Sequence, residues 1–437
     1  MTNCTPKLLN FPVLKKRRVT ASFDGGFVTS DAGGLLLREA DRNLNLLAPL
    51  AKLFPDKRDQ SKVEHSTLTM LRQRVFGIAL GYDDLNDHNT LRNDIALQTM
   101  VGNDSKLASS PTLCRFENTA NEAFSWEVHK QMVESFIASY KKEPEELILD
   151  FDATDDLVHG DQEGRYYHGY YGNYCFLPLY VFCGQKLLVG YLRTADKDGA
   201  HHAWPILALL VKRLRQAWPK VKIIFRGDGG FCRHEMLTWC EKNNVYYIVG
   251  LAQNKRLNGI LKPFMEKAKS DFESTQTKQK LFHEFTYAAG TWANEKKVIG
   301  KAEHTDKGAN PRFIVTNLSG GPEELYSNIY CARGDMENRI KEMQLGLFSD
   351  RTSCNKWWAN QFRVLLSSLA YILMEHIRSF ALVGTEFANA QMSTIRLRLF
   401  KIGAIVIKNT RRIRFLLSSH FPLQDLFATV FAKLVPS

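Results

Sequence analysis

The sequence predicts a mixed α/β protein with a five-stranded sheet and flanking helices. A mostly helical region precedes this core, and a β-rich insertion interrupts it. Three observations predict this class: helical spacing of apolar residues through residues 1–140, five short apolar runs that alternate with helical patterns over 141–251, and a polar stretch over 252–325 that contains short strand-like runs. The core then resumes over 326–395, and a basic region occupies 396–437.

The amino-terminal region contains several local signals. Residues 23–30 resemble two short strands around a Gly-Gly turn, and Asp31 is placed to cap the helix that follows. A strong helical pattern spans residues 70–81. Ser110 is predicted as an N-cap with Pro111 in the first helical position. Both a helical DNA-reading region and a plain helical bundle fit this pattern.

The core has the predicted order β-β-β-α-β-α-β, which indicates a meander followed by αβ units. Its strands are expected at 147–154, 176–184, 186–194, 222–230 and 246–251, and its helices at 204–218 and 234–242. The insertion is expected to contain strands at 282–285, 297–300 and 312–316. Helices at 335–347 and 357–378 follow the insertion.

The chain is basic, since 58 Lys and Arg residues against 46 Asp and Glu residues give a net charge of +12. Positive charge of this size attracts phosphate backbones. Residues 396–417 contain seven Arg or Lys residues and no acid, and their first seven residues, RLRLFKI, alternate in a pattern typical of a half-exposed strand. We expect phosphate contacts there, with Arg411 and Arg412 as candidates. The alternative is a solvated edge strand whose charges resist aggregation.

The cysteine pattern and hydropathy favour a cytoplasmic protein. The eight cysteines form no Cys-x-x-Cys pair and no zinc-like cluster, so we interpret them as reduced thiols. The first residues lack the apolar core of a signal peptide, and no run of eighteen apolar residues occurs. The sequence therefore predicts no membrane segment.

The segment DFDAT places two carboxylates at the end of an apolar strand. Asp150 and Asp152 share one face, so strand parity cannot decide which of them is functional. Two carboxylates on one face are costly to bury unless a cation pairs with them. The alternative is a pair of acids near a loop that contact solvent or Arg side chains.

Asp228 lies where another apolar strand ends in a Gly-Asp-Gly-Gly turn. The carboxyl ends of strands in open α/β sheets are where ligands bind. Taken alone, such a motif is more often only a turn.

The segment 330–344 predicts a third acidic position. If it is one regular helix at about 100° per residue, then a stripe about 80° wide contains five polar residues, with Asp335 on the opposite side. The five are Tyr330, Arg333, Glu337, Lys341 and Gln344. A solvated Glu337–Lys341 pair would explain those two residues but not the tyrosine and arginine beside them. Carboxylates that converge from three elements suit Mg²⁺, which prefers oxygen ligands.

These residues together resemble a known family. Asp152-x-Thr154, the strand-ending Asp228 and Tyr330-x₂-Arg333-x₃-Glu337 are similar to the DDE transposases of bacterial insertion sequences, in the branch with a Tyr-Arg-Glu signature. Four sequence segments resemble the subfamily that includes an element mobilising β-lactamase genes. They are LDFDATDD, HGYYGNYC, FRGDGGFC and RGDMENRIKEMQLGLFSDRTS. The resemblance implies a ribonuclease-H-like core in which Asp152, Asp228 and Glu337 are the catalytic ligands of two Mg²⁺ or Mn²⁺ ions.

The resemblance also implies DNA contacts. Tyr330 and Arg333 would contact phosphates, together with the seventh residue after the glutamate. That residue is Gln344 here, where the branch usually has Lys, so Lys341 is a candidate substitute. In some relatives a tryptophan of the insertion stabilises a flipped base at a hairpinned end, and Trp292 is the candidate here because it is the only Trp in the insertion.

The expected function is that of a transposase. It would bind the terminal inverted repeats of an insertion sequence and target double-stranded DNA, and would cleave and join strands as a homodimer in the bacterial cytoplasm, at the nucleoid. A ribonuclease-H-like nuclease that cuts without joining is the first alternative. A non-enzymatic DNA-binding protein would leave the Tyr-Arg-Glu stripe unexplained. A dinucleotide-dependent oxidoreductase is disfavoured, because no G-x-G-x-x-G follows a predicted strand.

Overall fold

The computed structural model describes residues 7–435. By its internal contacts the chain divides into two units. One, which we call the split unit, combines Met1–Thr119 with Leu373–Ser437, and the other, the central unit, is the continuous segment Ala120–Ile372.

The helices are numbered in chain order. They are α1 Leu35–Leu44, α2 Leu47–Leu53, α3 Thr67–Leu80, α4 His88–Leu91, α5 Ile95–Val101, α6 Ser110–Glu117, α7 Glu122–Ala138, α8 Ala203–Ala217, α9 His234–Lys242, α10 Lys255–Thr275, α11 Pro322–Glu324, α12 Gly334–Lys341, α13 Trp357–His376, α14 Met392–Ile395 and α15 Gln424–Leu434.

The strands are numbered in the same way. They are β1 Leu9–Leu14, β2 Arg17–Ala21, β3 Val28–Thr29, β4 Glu146–Ala153, β5 Asp156–Leu157, β6 Tyr166–His168, β7 Asn173–Phe176, β8 Leu179–Cys183, β9 Lys186–Tyr191, β10 Lys222–Gly227, β11 Tyr246–Leu251, β12 Gln279–Tyr287, β13 Lys296–Thr305, β14 Gly308–Ala309, β15 Arg312–Thr316, β16 Ala404–Lys408 and β17 Ile413–Leu417.

The split unit joins the two ends of the chain. Its small sheet has the order β17-β16-β3, so a strand from the amino-terminal segment pairs with strands from the carboxyl-terminal segment. Asn43 on α1 donates to the carbonyl of Leu434 at the end of α15 (3.0 Å). Arg396 donates to the carbonyls of Ala79 (2.7 Å) and Ile78 (3.3 Å), which are among the last carbonyls of α3. Carbonyls at the end of a helix lack an i+4 donor. Arg396 supplies a donor to Ala79 and adds a second donor at Ile78, which also accepts from the cap N–H of Gly81 (3.0 Å).

Two local predictions in the amino-terminal segment are wrong. The hairpin lies at β1 and β2 rather than at 23–30, where only Val28–Thr29 is a strand. That strand pairs with β16, a partner that local sequence cannot show. Asp31 makes no cap bond. Its carboxylate instead pairs with Lys401 (2.6 Å) and accepts a hydrogen bond from Tyr82 (2.8 Å).

The predicted strand at the start of the basic region is also wrong. Residues Arg396–Phe400 continue α14 as a π-helical turn. Leu399 and Phe400 are fully buried, so this segment belongs to the core of the split unit rather than to an exposed edge. The strands β16 and β17 follow it, and Arg411 and Arg412 lie in the turn between them, so these two arginines remain exposed.

The central unit is built on a nine-stranded mixed sheet with the order β12-β13-β15-β11-β10-β4-β8-β9, in which β14 pairs with β13. The strands β4, β10 and β11 are mutually parallel, whereas β8 and β9 form an antiparallel meander beside β4. All five predicted strands are present. The sheet is larger than predicted because the insertion does not form a separate sheet: β15 pairs with β11 and extends the core sheet.

The insertion begins with a helix that the sequence did not reveal. The 21-residue α10 buries only Leu257, Leu261 and Ala268, so its apolar stripe is sparse and its other faces are polar. One predicted strand also divides in two, since residues 176–184 form the end of β7 and then β8. Pro178, which lies between them, lacks the backbone N–H that a continuous ladder needs.

One helical stretch, Trp357–Ala381, has the length and apolar composition to cross a membrane, and 78% of its apolar window is buried inside the structure. The core helix of a folded protein has the same properties, so this is weak evidence for a membrane span. None of the seven cysteines among the described residues forms a disulfide, and Cys4 lies outside those residues.

Candidate active site at the carboxyl edge of the central sheet

Two of the predicted acids lie at neighbouring strand ends. Asp152 is next to last in β4, and Asp228 directly follows β10, which runs parallel to β4. Parallel strands end at the same edge of a sheet, so the two carboxylates are brought together. Asp228 accepts a hydrogen bond from the backbone N–H of Gly230 (2.9 Å), which orients its side chain in the Gly-Gly turn.

The third acid, Glu337, lies on a helical segment that is less regular than predicted. Residues Leu325–Tyr330 form a π-helical turn, Cys331–Arg333 a 3-10 turn, Gly334–Lys341 the α-helix α12, and Glu342–Gly346 a second π-helical turn. The assumption of a constant 100° per residue is therefore wrong for this segment. Local π-helical turns often mark functional sites, because they reorient side chains within a helix.

Arg333 connects the acid on the helical segment to the acid on the sheet. Its guanidinium donates to Oδ2 of Asp152 (3.2 Å) and to Oε1 of Glu337 (2.5 Å). Burial opposes the charged form of this guanidinium, but Asp152 and Glu337 outweigh it and raise the pKa of Arg333. The side chain therefore stays cationic, and it neutralises the two carboxylates that it bridges.

Asp152 is in an electrostatically unfavourable position. Burial, together with the nearby charges of Asp228 and Glu337, raises the pKa of its carboxyl to about 7, although Arg333 opposes the shift. A raised carboxylate pKa of this origin indicates a local excess of negative charge, which a bound cation would relieve.

Asp150 has a different environment, although it shares a face of β4 with Asp152. It forms a two-point ion pair with Arg226 on β10, in which Nη2 lies 2.7 Å from Oδ2. Arg226 also donates to the carbonyl of Ile329, so it ties the helical segment to the sheet. The carboxylate of Asp150 therefore has its charge partner within the protein, and its ion pair with Arg226 has a structural role.

Asp335 does not lie entirely away from the sheet, contrary to the helical-phase argument. It is exposed, but its charge is close enough to contribute to the raised pKa of Asp150, after the larger effect of burial.

Tyr330 packs at the same sheet edge. A Cβ atom added to Gly250 on β11 would lie 2.7 Å from the Tyr330 hydroxyl, so the ring passes directly over that glycine. Burial raises the pKa of Tyr330, and its charged neighbours include Arg333 and Asp228. The phenol therefore lies within the acidic cluster, as the sequence pattern predicted.

Gln344 and Lys341, the two candidates for a phosphate contact after Glu337, differ in their surroundings. Gln344 donates to Thr154 Oγ1 (3.3 Å) and to the carbonyl of Asp155 (3.2 Å), so its amide holds the helical segment against the end of β4. Lys341 is exposed.

A cavity of about 160 Å³ lies beside the acids, and most of the residues that line it were not predicted from the sequence. Asp152 and Asp228 share it with His168, Tyr170 and Tyr171 from the small sheet β5-β7-β6. The available signal was the dense aromatic run YYHGYYGNY between two apolar strands.

The other predicted site residues lie elsewhere. Arg411 and Arg412 belong to the split unit. Trp292 lies in the turn between β12 and β13, and in the sheet these strands are separated from β4 by β15, β11 and β10. Its half-buried ring packs edge-to-face on Tyr287, with centroids 5.8 Å apart.

The donor set fits a hard divalent cation in its chemistry, since Asp152, Asp228 and Glu337 offer only oxygen ligands. Within residues 7–435, however, no group of three or more His, Cys, Asp or Glu side chains is arranged to hold a metal ion. Arg333 donates to two of the three carboxylates, Asp152 and Glu337. The acids would hold a cation if the guanidinium withdrew from between them.

Comparisons with known proteins bear on the whole chain. The sequence model of the family described as transposase DDE domain group 1 matches residues 11–437. A solved piggyBac transposase synaptic complex with hairpin DNA is similar over 85% of this chain and 80% of its own chain, with 11% sequence identity and a TM-score of 0.43. No curated protein sequence matches the chain. Because the family model spans nearly all of its residues, the chain belongs to the DDE transposase family and is a DDE-type DNA transposase.

Proposed function

We propose that this transposase binds the terminal inverted repeats of a bacterial insertion sequence and catalyses cleavage of their strands and transfer to target DNA. It would act in the cytoplasm, as a homodimer that brings two element ends together. The observation that carries the proposal is the acidic cluster at the carboxyl edge of the sheet. There Asp152 and Asp228 lie at neighbouring strand ends, and Arg333 connects Asp152 to Glu337.

We further propose that the core is ribonuclease-H-like. The strands β4, β8, β9, β10 and β11 occur in this order along the chain, with the small-sheet strands β5–β7 between β4 and β8, and they lie in the spatial order β9-β8-β4-β10-β11. An antiparallel meander followed by two parallel strands, with acids at the ends of the first and fourth strands, is the arrangement that such a core requires. This order supports the assignment, as does the position of Glu337 on a later helical segment.

DDE transposases generally use divalent metal ions, and we propose two Mg²⁺ ions here, with Mn²⁺ as a substitute. Asp152, Asp228 and Glu337 would hold them, and the ions would supply activation of the attacking oxygen and stabilisation of the leaving oxygen. Tyr330, Arg333 and the exposed Lys341 would then position the phosphates of the scissile strand. In this scheme Arg333 exchanges its carboxylate partners for a DNA phosphate.

The same residue pattern supports membership of the Tyr-Arg-Glu branch, in which the Tyr330, Arg333 and Glu337 side chains act together. Tyr330 packs over Gly250, and Arg333 bonds to Glu337, so the three lie in one cluster at the sheet edge.

The test combines footprinting with a joining assay. Candidate inverted repeats are identified by protection from nuclease digestion, and a labelled repeat is then incubated with the protein and a target plasmid in Mg²⁺, Mn²⁺ or EDTA. We expect cleavage and a joined product in either metal and neither in EDTA. Cleavage without joining would favour the nuclease alternative, and full activity in EDTA would exclude the metal mechanism.

A further inference from the structure

Five tyrosines lie within the hairpin of β6 and β7, over residues 166–174, which we call the tyrosine hairpin. Four of them are exposed: Tyr166 (46%), Tyr167 (58%), Tyr170 (86%) and Tyr174 (51%). Exposed aromatic residues scattered singly are ordinary, but four within nine residues concentrate exposed aromatic surface on one short hairpin. Patches of this kind on a protein surface mark binding sites.

The rings of the tyrosine hairpin are partly restrained. Tyr167 and Tyr174 pack edge-to-face with centroids 5.6 Å apart, and Tyr170 and Tyr171 do so at 5.0 Å. In an edge-to-face pair, the faces of the ring that presents its edge are not covered by the partner ring. Little rotational freedom is then lost when a flat ligand stacks on the open face.

The tyrosine hairpin adjoins the catalytic acids. The strand β5 begins three residues after β4 ends, and it pairs with β7. Tyr170 and Tyr171 line the same 160 Å³ cavity as Asp152 and Asp228. A DNA strand whose phosphate lies at these carboxylates would therefore place its neighbouring nucleotides over the aromatic rings.

Cations flank the aromatic patch. The Arg165 guanidinium lies 5.1 Å from the centroid of the Tyr174 ring. Lys197, from the segment after β9, is close enough to Tyr166 for their charges to interact. Both cations are paired with exposed aspartates, Asp161 and Asp196. Exposed ion pairs are weak, so a phosphate can compete for these cations.

We propose that the tyrosine hairpin binds unpaired nucleobases of the DNA strand that reacts at Asp152 and Asp228, by stacking them on its exposed rings. Tyrosine stacks on every base, because each base has a π face. In a duplex the faces of the bases are covered by their neighbours, so this surface selects nucleotides that are unpaired next to the reacting phosphate. The inference rests on the proposed strand cleavage, and it specifies the form of the DNA that the site accepts.

The test measures binding by the full-length protein in EDTA, so that no cleavage is needed. The probes are a fluorescent duplex with a short unpaired flank containing 2-aminopurine, and the same sequence fully paired. The variants are Tyr170→Ala and Tyr170→Phe. Tyr246→Ala is the matched control, since Tyr246 is 38% exposed but lies at the amino end of β11.

We expect Tyr170→Ala to weaken binding of the flanked duplex on the order of tenfold. It should also reduce the quenching of 2-aminopurine fluorescence on binding. Binding of the paired duplex should change little, and Tyr170→Phe and Tyr246→Ala should both behave like the wild type. Because Tyr170 is the most exposed ring of the patch, its truncation should leave the melting temperature unchanged.

Three results would overturn the inference: equal weakening on the paired duplex, equal weakening by Tyr170→Phe and Tyr170→Ala, or no effect of Tyr170→Ala. The first would indicate a general DNA contact, the second a hydroxyl hydrogen bond, and the third no contact. If the preference for the unpaired flank is present but metal-dependent cleavage is never found, the proposed function fails while the stacking site stands. If metal-dependent cleavage is found but the protein shows no preference for the unpaired flank, the stacking site is rejected and the proposed function stands.

Discussion

Asp150 and Asp152 share one face of β4, but they differ in the partner that each has. Asp152 has a pKa raised to about 7 and one ionic contact, to Arg333. Asp150 is buried against Arg226, which opposes but does not outweigh the effect of burial on its pKa. The first carboxylate is available to a cation, whereas the second holds the sheet to the helical segment.

Asparagine substitutions separate these two roles. Asp152→Asn should abolish cleavage and leave the free energy of unfolding unchanged or higher, because a poorly solvated carboxylate is removed. Asp150→Asn should lower it by about 3 kcal/mol, because Arg226 would keep a buried charge without its partner. Urea unfolding and the cleavage assay measure the two effects. A stable Asp150→Asn protein without activity would reverse the assignment.

Gly250 controls the position of Tyr330. A Cβ at residue 250 would approach the Tyr330 hydroxyl and the backbone nitrogen of Gly229 to 2.7 Å. Gly250→Ala should therefore displace the phenol, reduce cleavage, and cost roughly 1–3 kcal/mol of stability. Gly259→Ala is the control, since nothing lies within 4 Å of a Cβ there and Gly259 is in α10, where alanine is the better helix former. Equal activity in both variants would show that Tyr330 has no part in the reaction.

The sequence could predict which residues gather at the site but not all of their partners. Asp152, Asp228 and Glu337 lie in motifs that are visible in the chain. The pair between Asp150 and Arg226 depends on the register of β4 against β10, which places these two residues side by side. Register is set by the packing of whole strands, so no local pattern contains it.

At the scale of elements, Glu303 fixes β13 to its surroundings. Its carboxylate lies 2.7 Å from Lys278 and 2.8 Å from Lys301, and it accepts a hydrogen bond from Asn310 (2.6 Å). Burial opposes its charge, but these three contacts prevail and lower the pKa of Glu303 to about 2.

Because the folded-state pKa of Glu303 lies below the unfolded value of about 4.3, the contribution of this carboxylate to stability is complete above that value. It is lost as the pH falls towards 2. Glu303→Gln should therefore lower the free energy of unfolding by about 2 kcal/mol at neutral pH, and the stability of the variant should change less with pH across the acid range. Urea unfolding between neutral and acid pH measures both effects. A pH profile parallel to that of the wild type would contradict the prediction.

The turn between β16 and β17 presents Arg411 and Arg412 to solvent. If both contact phosphates, replacing them with alanine should weaken binding to specific and random DNA alike. It should also reduce the slope of log affinity against log salt by about 2. Replacing the exposed pair Lys52 and Lys57, in the same unit, is the charge-matched control. An unchanged slope in the Arg411 and Arg412 variant would indicate that the turn is merely solvated.

Elements with strong local patterns were predicted well, and those shaped by distant partners were not. The strand at 312–316 and the helix that ends near Gly81 have the predicted positions, because an apolar run or a glycine cap defines each. The helix α10 was missed because few of its residues are buried. The segment 396–400 alternates like a strand, but it folds as a helical turn because its apolar side chains are buried in the split unit.

At the scale of the molecule, the split unit depends on both ends of the chain. Ala32 donates to the carbonyl of Ile402 (3.1 Å), β3 pairs with β16, and α1 packs against α15. A protein that lacks residues 392–437 should therefore lose hydrogen-exchange protection in α1 and α3, while the strands of the central unit keep theirs. Hydrogen exchange with mass spectrometry measures this, and full protection in α1 would show that the amino-terminal helices fold without the carboxyl-terminal segment.

The same division sets an order of events on the ribosome. All of the residues of the central unit leave the ribosome before the residues that complete the split unit. We therefore expect the sheet with its acidic cluster to form before α1–α6 can pack against the carboxyl-terminal segment. A truncated messenger RNA would yield a chain that has the catalytic residues but in which the apolar faces of α1–α6 are uncovered. Chaperones bind such faces and proteases degrade chains that expose them, so we expect a chain that stops before the carboxyl-terminal segment of the split unit to be removed.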